Sequence, residues 1–262
     1  MSNDIILTSC DLKDADTNNL ITNYPNDWVY SKIKPENKQF IRRILVSLFL
    51  SVLGSYVLLC IITVSPTPFI EYQANAWSSI TYALIDGPGT VRFPLYILSV
   101  ASFNLWAHSD PIVNFIDVTS IFWTILIVTI AMSPDNTNST TIIRCINVLF
   151  LLYMITIISI SYTNLVLTYY KDNLVIITGL IYGLCGINML TFYIQKPKFI
   201  IGIGIISFGF ICKLLTIYQD QYWGTSIFHI TSALGIGILL QLSKLEHYSI
   251  PQSLEWRKML SH

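Results

Sequence analysis

His108, Asp117 and His229 are ionisable residues within long apolar runs or at their edges. An imidazole or a carboxylate at membrane depth is costly, faces a bundle interior, and by default marks a functional site. Both group types carry protons or hold ions, so three of them at one point would form a reacting or ligand-holding centre. Plainer readings stand beside that one. His108 and Asp117 lie near enough to an interface to be merely hydrated. His229, two turns into the run YWGTSIFHITSALGIGILLQLSK (222–244), would serve equally as a hydrogen-bond donor between helices. The choice depends on the elements that carry them.

Composition fixes the class of those elements. The chain is 53% hydrophobic and 11% charged, against about 25% charged in an average soluble domain. So little charge cannot cover a water-facing surface, and an integral membrane protein follows. A formal net charge of +0 gives no pull towards nucleic acid, and no nucleotide loop or nucleophile elbow is found. Cys10, Cys60, Cys145, Cys185 and Cys212 are scattered without a CxxC pair, and four of them read as small apolar residues in hydrophobic runs.

The first 40 residues form a polar arm with no early apolar core, so a cleaved signal peptide is not expected. Runs of about 20 apolar residues, the length of a membrane span, follow at 44–64, 113–132, 141–162, 173–194, 199–218 and 223–243. Between the first two lies a longer stretch broken by DGPGT, where Gly-Pro-Gly favours a turn. It reads as two short helices, 70–86 and 92–108. The expectation is an all-α membrane bundle of eight spans with both termini cytoplasmic. Of the 15 Lys and Arg, all but Lys171 and Lys213 then fall on the cytoplasmic side, as positive-inside bias requires. The parts are an arm (1–40), an additional first span (41–65), a seven-span core (66–245) and a cytoplasmic tail (246–262). His108, Asp117 and His229 then share the extracytoplasmic leaflet.

Four segments resemble, in order, core helices of the alkaline ceramidase and adiponectin-receptor superfamily of seven-span membrane hydrolases. QANAWSSITYAL is similar to the first core helix and SFNLWAHSD to the end of the second. FIDVTSIF is similar to the opening of the third, and FHITSALGIGILL to the last. The resemblance covers residues 71 to about 243 and leaves the first span as an addition to the core. It implies a Zn²⁺ ion held by three histidines, with an open position for water, and hydrolysis of a lipid amide such as ceramide. The substrate would enter sideways from the bilayer. Carried over, His108 and His229 are metal ligands and Asp117 orients or deprotonates the water. Asn104 or Ser102 takes the place of the assisting serine.

The chain departs from that pattern. The first histidine of the last helix's His-x-x-x-His pair falls on Thr225, a poor zinc ligand. Position 104, one turn before His108, is Asn104, while Ser102 falls on a different helix face. The ceramidases' acidic calcium-binding segment is reduced to Glu71. Asp117 or Asp220 would be a substitute ligand. Two other classes stay open: a metal-free relative acting by contact, similar to the myomaker branch, and an unrelated multi-span receptor or carrier. Arg144 and Lys213 read as snorkelling near helix ends. The GIG runs at 202–204 and 235–237 read as close helix packing, and Asn138-Ser-Thr as a glycosylation acceptor left unmodified on the cytoplasmic side.

Overall fold

In a computed structural model, residues 35–64, 66–133, 139–217 and 222–247 are described. The chain divides into two compact units, Met1–Arg42 and Arg43–His262. Of the first unit, residues 35–42 are described, and they are helical. Asp220, Asn138, most of the polar arm and residues 248–262 lie outside the described residues.

The elements are α1 (Pro35–Thr63), α2 (Gln73–Ser79) continued by a 3-10 segment (Ile80–Leu84), α3 (Gly89–Ala107), α4 (Pro111–Met132), α5 (Ser139–Ile160), α6 (Asn164–Tyr193), α7 (Pro197–Ile217) and α8 (Trp223–His247). No strand occurs among the described residues. Among the described residues, five helices are long and apolar enough to cross a membrane: Ile41–Thr63, Pro111–Met132, Thr141–Ile160, Pro197–Thr216 and Trp223–Leu242. The protein is thus a helical membrane protein.

Three elements differ from their sequence expectation, the first being α1, which starts at Pro35 rather than 44. Helix α6 starts at Asn164 rather than 173, because the polar TYYKDN stretch continues the helix. The element read as 70–86 is shorter, and it tightens from α-helix to 3-10 at Ile80. Seven residues at 1.5 Å and five at 2.0 Å span only about 20 Å, against about 30 Å of hydrocarbon. Residues 85–88, without regular structure, lengthen it. Irregular backbone at such depth survives only where protein covers it, and Ile85 is indeed packed into the main apolar core.

Each junction has a local cause. Asp110 caps α4, its Oδ1 accepting from the backbone N–H of Ile112 (2.8 Å) and Val113 (3.2 Å), and Pro111 occupies the first turn where no N–H is missed. Pro94 lies inside α3 and cannot donate to the Thr90 carbonyl. Asn147 of α5 satisfies that carbonyl from Nδ2 (2.9 Å), while its Oδ1 accepts from Trp123 Nε1 of α4 (2.9 Å). One amide therefore ties three helices at the carbonyl that proline leaves open.

Small residues set two close approaches. On α1, Ser47, Ser51 and Ser55 form a buried stripe, and Ser51 meets Ser99 of α3 at 2.6 Å between hydroxyl oxygens. Between α7 and α8, a Cβ on Gly235 would stand 2.7 Å from the Gly202 carbonyl oxygen and would collide with Ile206. Gly204 and Gly237, the other halves of the GIG runs, face open space. Only one glycine of each pair is thus needed for the crossing.

Candidate functional site

Helix positions bring the polar groups to one end of the bundle. Ser102 lies five residues before the end of α3, Asp117 six residues after the start of α4, and His229 six after the start of α8. At 1.5 Å per residue all three sit about 8–9 Å inside their helix ends. Asn75 and Ser78 of the short α2 complete the group, and both are buried.

His229 is the hub and is 4% exposed. Its Nδ1 lies 3.2 Å from the Asn75 carbonyl oxygen and 3.0 Å from Ser78 Oγ. The Ser78 hydroxyl itself donates to that same carbonyl at 3.0 Å. A carbonyl can only accept, so Nδ1 carries the ring proton. Nε2 is left with its lone pair, and it faces Ser102 Oγ at 3.5 Å. Nothing in the chain's spacing revealed this tautomer lock, which comes from α2 packing on α8. Asn75 is held in turn by Ser226, whose hydroxyl donates to its side-chain oxygen.

Asp117 sits beside the same serine. It is 6% exposed, Ser102 faces its carboxyl, and Oδ1 has no hydrogen-bond partner. The cation that acts on it is Lys213 of α7, which also acts on His229. Lys213 Nζ lies 5.0 Å over the Phe228 ring, a cation–π placement that turns the ammonium inward. The sequence had suggested a lysine reaching out to the interface.

Asn104 and Thr225 are buried without full partners. Asn104 Nδ2 donates to the Val100 carbonyl of its own helix (2.8 Å), and its Oδ1 is unsatisfied. Thr225, one turn before His229, has an unsatisfied Oγ1. His108 is the outlier. It is the exposed C-cap of α3, extended at φ −155°, and it joins none of these hydrogen bonds. Ser102, within the helix, is buried and points inward.

Aromatic rings enclose the imidazole. Trp106 and Tyr82 approach it at centroid distances of 6.5 and 5.8 Å, and Tyr72 and Tyr222 pack against Trp106 at 5.8 and 6.0 Å. Towards the bundle centre, Tyr82 Oη and Ser232 Oγ meet at 2.7 Å. Both residues also line a cavity of about 170 Å³ whose other walls are mainly apolar, including Leu98, Ile125, Ile206 and Leu239. Engineered apolar cavities of about 150 Å³ stay dry and take up benzene. This one can take part of a hydrocarbon chain.

The gathered donors do not fit the three-histidine zinc site that the resemblance implies. One imidazole and one carboxylate meet beside hydroxyls, whereas a catalytic zinc takes three strong ligands. Among the described residues, no group of three or more His, Cys, Asp or Glu is arranged to hold a metal ion. The geometry instead offers a hydroxyl beside an oriented, unprotonated imidazole nitrogen. No family model, curated protein or solved structure matches the chain.

Proposed function

We propose that the protein is a membrane-embedded hydrolase that cleaves the acyl bond of a ceramide-like lipid amide at the His229 centre. One observation carries this reading. A buried imidazole, its tautomer fixed by the Asn75 carbonyl, offers Nε2 to the Ser102 hydroxyl beside a carboxylate and an apolar cavity. Each part has a chemical use: a base within reach of a hydroxyl, a cation for developing negative charge, and room for a hydrocarbon chain. The four ordered sequence resemblances support the same class. Its zinc chemistry is left out of this reading, since the donors that meet here are too few.

The topology proposed with it has eight spans, both termini in the cytoplasm, and the centre within the extracytoplasmic leaflet. There a lipid reaches the site laterally without crossing the headgroup layer. The shortage of metal ligands favours one other reading, a relative that binds lipid or a partner and cleaves nothing.

Hydrolysis decides between them. Full-length protein in nanodiscs, supplied with ceramides and other long-chain acyl amides, is expected to release free fatty acid detectable by mass spectrometry. His229→Gln, expressed and folded to the same level, is expected to release none above background. Equal release from both proteins would end the hydrolase reading.

A further inference from the structure

We infer that Ser102 is a nucleophile that forms an acyl intermediate, with His229 as its base and the Asn75 carbonyl as the group that orients the base. This rests on the hydrolase reading and specifies its chemistry as covalent attack by a serine. Nucleophile, base and orienter in hydrogen-bond sequence are the recognisable signature of such catalysis, on any fold. Here the sequence runs Ser102 Oγ, His229 Nε2, His229 Nδ1, Asn75 O, with separations of 3.5 and 3.2 Å at its two links. The first link is long for a hydrogen bond, as such links often are before substrate binds.

The orienter is a backbone carbonyl in place of a carboxylate. A carbonyl fixes the tautomer equally well, because it can accept only from Nδ1–H. Ser226 holds the Asn75 side chain and so steadies that residue. Groups from other elements have distinct parts. Lys213 of α7 supplies positive charge, and Asp117 of α4 faces the serine. Asp117 is therefore a positioning residue, acting through Ser102.

The step balances without a metal or an oxidant. The Ser102 hydroxyl gives its proton to His229 Nε2 as Oγ bonds to the substrate carbonyl carbon. The carbonyl π pair moves to oxygen, then returns as the C–N bond breaks. The leaving nitrogen takes the proton from His229, and the lipid amine departs. Water then gives a proton to His229 and its oxygen attacks the ester carbon. The bond between the acyl carbon and Ser102 Oγ breaks, Oγ recovers the proton, and a free fatty acid leaves.

A fluorophosphonate carrying a long alkyl chain tests this directly, since it bonds to an activated serine with loss of fluoride. Full-length protein in nanodiscs should gain one adduct, mapped to Ser102 by peptide mass spectrometry and formed equally in the presence of a zinc chelator. Ser102→Ala should gain none, and His229→Gln should label on the order of 100-fold more slowly. A Ser102 adduct upholds the inference whether or not the lipids tried are turned over. No adduct on folded wild type, or an adduct elsewhere, overturns it. If the unlabelled protein hydrolyses lipid and a chelator stops it, the nucleophile is refuted while the hydrolase reading stands. If it neither labels nor hydrolyses, both fall.

Discussion

Replacing Asn147 with leucine should cost about 2 kcal/mol of stability, most of it through a carbonyl that Pro94 leaves open. Asn147 makes two bonds, from Nδ2 to the Thr90 carbonyl and from Trp123 Nε1 to its Oδ1. Buried partners left unsatisfied cost about 1–3 kcal/mol each in soluble proteins, but interhelical bonds in membranes average only about 0.6, with a maximum near 1.7. The smaller figures arise because a polar group in the bilayer usually finds another partner. The Trp123 N–H takes the membrane average of about 0.6 kcal/mol. The Thr90 carbonyl lacks another partner, because residue 94 has no N–H to give, and is assigned about 1.5 kcal/mol. Pro94→Ala supplies the missing donor. In that background Asn147→Leu should cost only about 0.6 kcal/mol, a coupling of about 1.5 kcal/mol. Unfolding by sodium dodecyl sulfate in mixed micelles, followed by circular dichroism, measures all four proteins. Equal losses in both backgrounds, within the roughly 0.5 kcal/mol scatter of independent sites, would refute the reasoning.

The same titration separates the two halves of each GIG run. Gly235→Val forces a side chain against the Gly202 carbonyl and Ile206 and should cost about 1–3 kcal/mol, whereas Gly237→Ala faces open space and should gain about 0.5–1 kcal/mol. A second prediction concerns the inward lysine. Lys213→Met should destabilise the protein less in an Asp117→Asn background than in wild type, since removing the half-buried ammonium leaves the buried Asp117 carboxyl without its opposing charge. Identical losses in the two backgrounds would mean that the ammonium and the carboxylate do not act on one another.

The order of helical segments was legible because each apolar run ends at Pro, Gly or a polar cluster. Pro111 starts α4 and DGPGT separates α2 from α3, both visible without coordinates. The start of α6 was hidden, because Lys171 and Asp172 look like a loop until the helix is seen to continue through them. At the site, His229 and Asp117 were found as polar intrusions in apolar runs, a signal that needs no partner. His108, found the same way, lies exposed at the end of α3, and Ser102 was named only through the resemblance. Asn75, Ser78, Asn147 and the inward turn of Lys213 were not found, because each takes its meaning from a contact with a distant helix. Spacing placed Ser102 on a different helix face from His108, whereas His108 in fact lies beyond the helix end, extended and exposed, and Ser102 is buried. Which of the two faces the imidazole depends on how α3 packs against α8, which no periodicity contains.

The central claim is that Ser102 and His229 act as one unit on a lipid acyl bond. Fatty-acid release by wild type, Ser102→Ala, His229→Gln and the double variant measures it. The account predicts that each single change lowers turnover by about 10²–10⁴-fold and that the double change lowers it no further, as residues sharing one step do. Losses that multiply in the double variant, or turnover retained in either single variant, would contradict it.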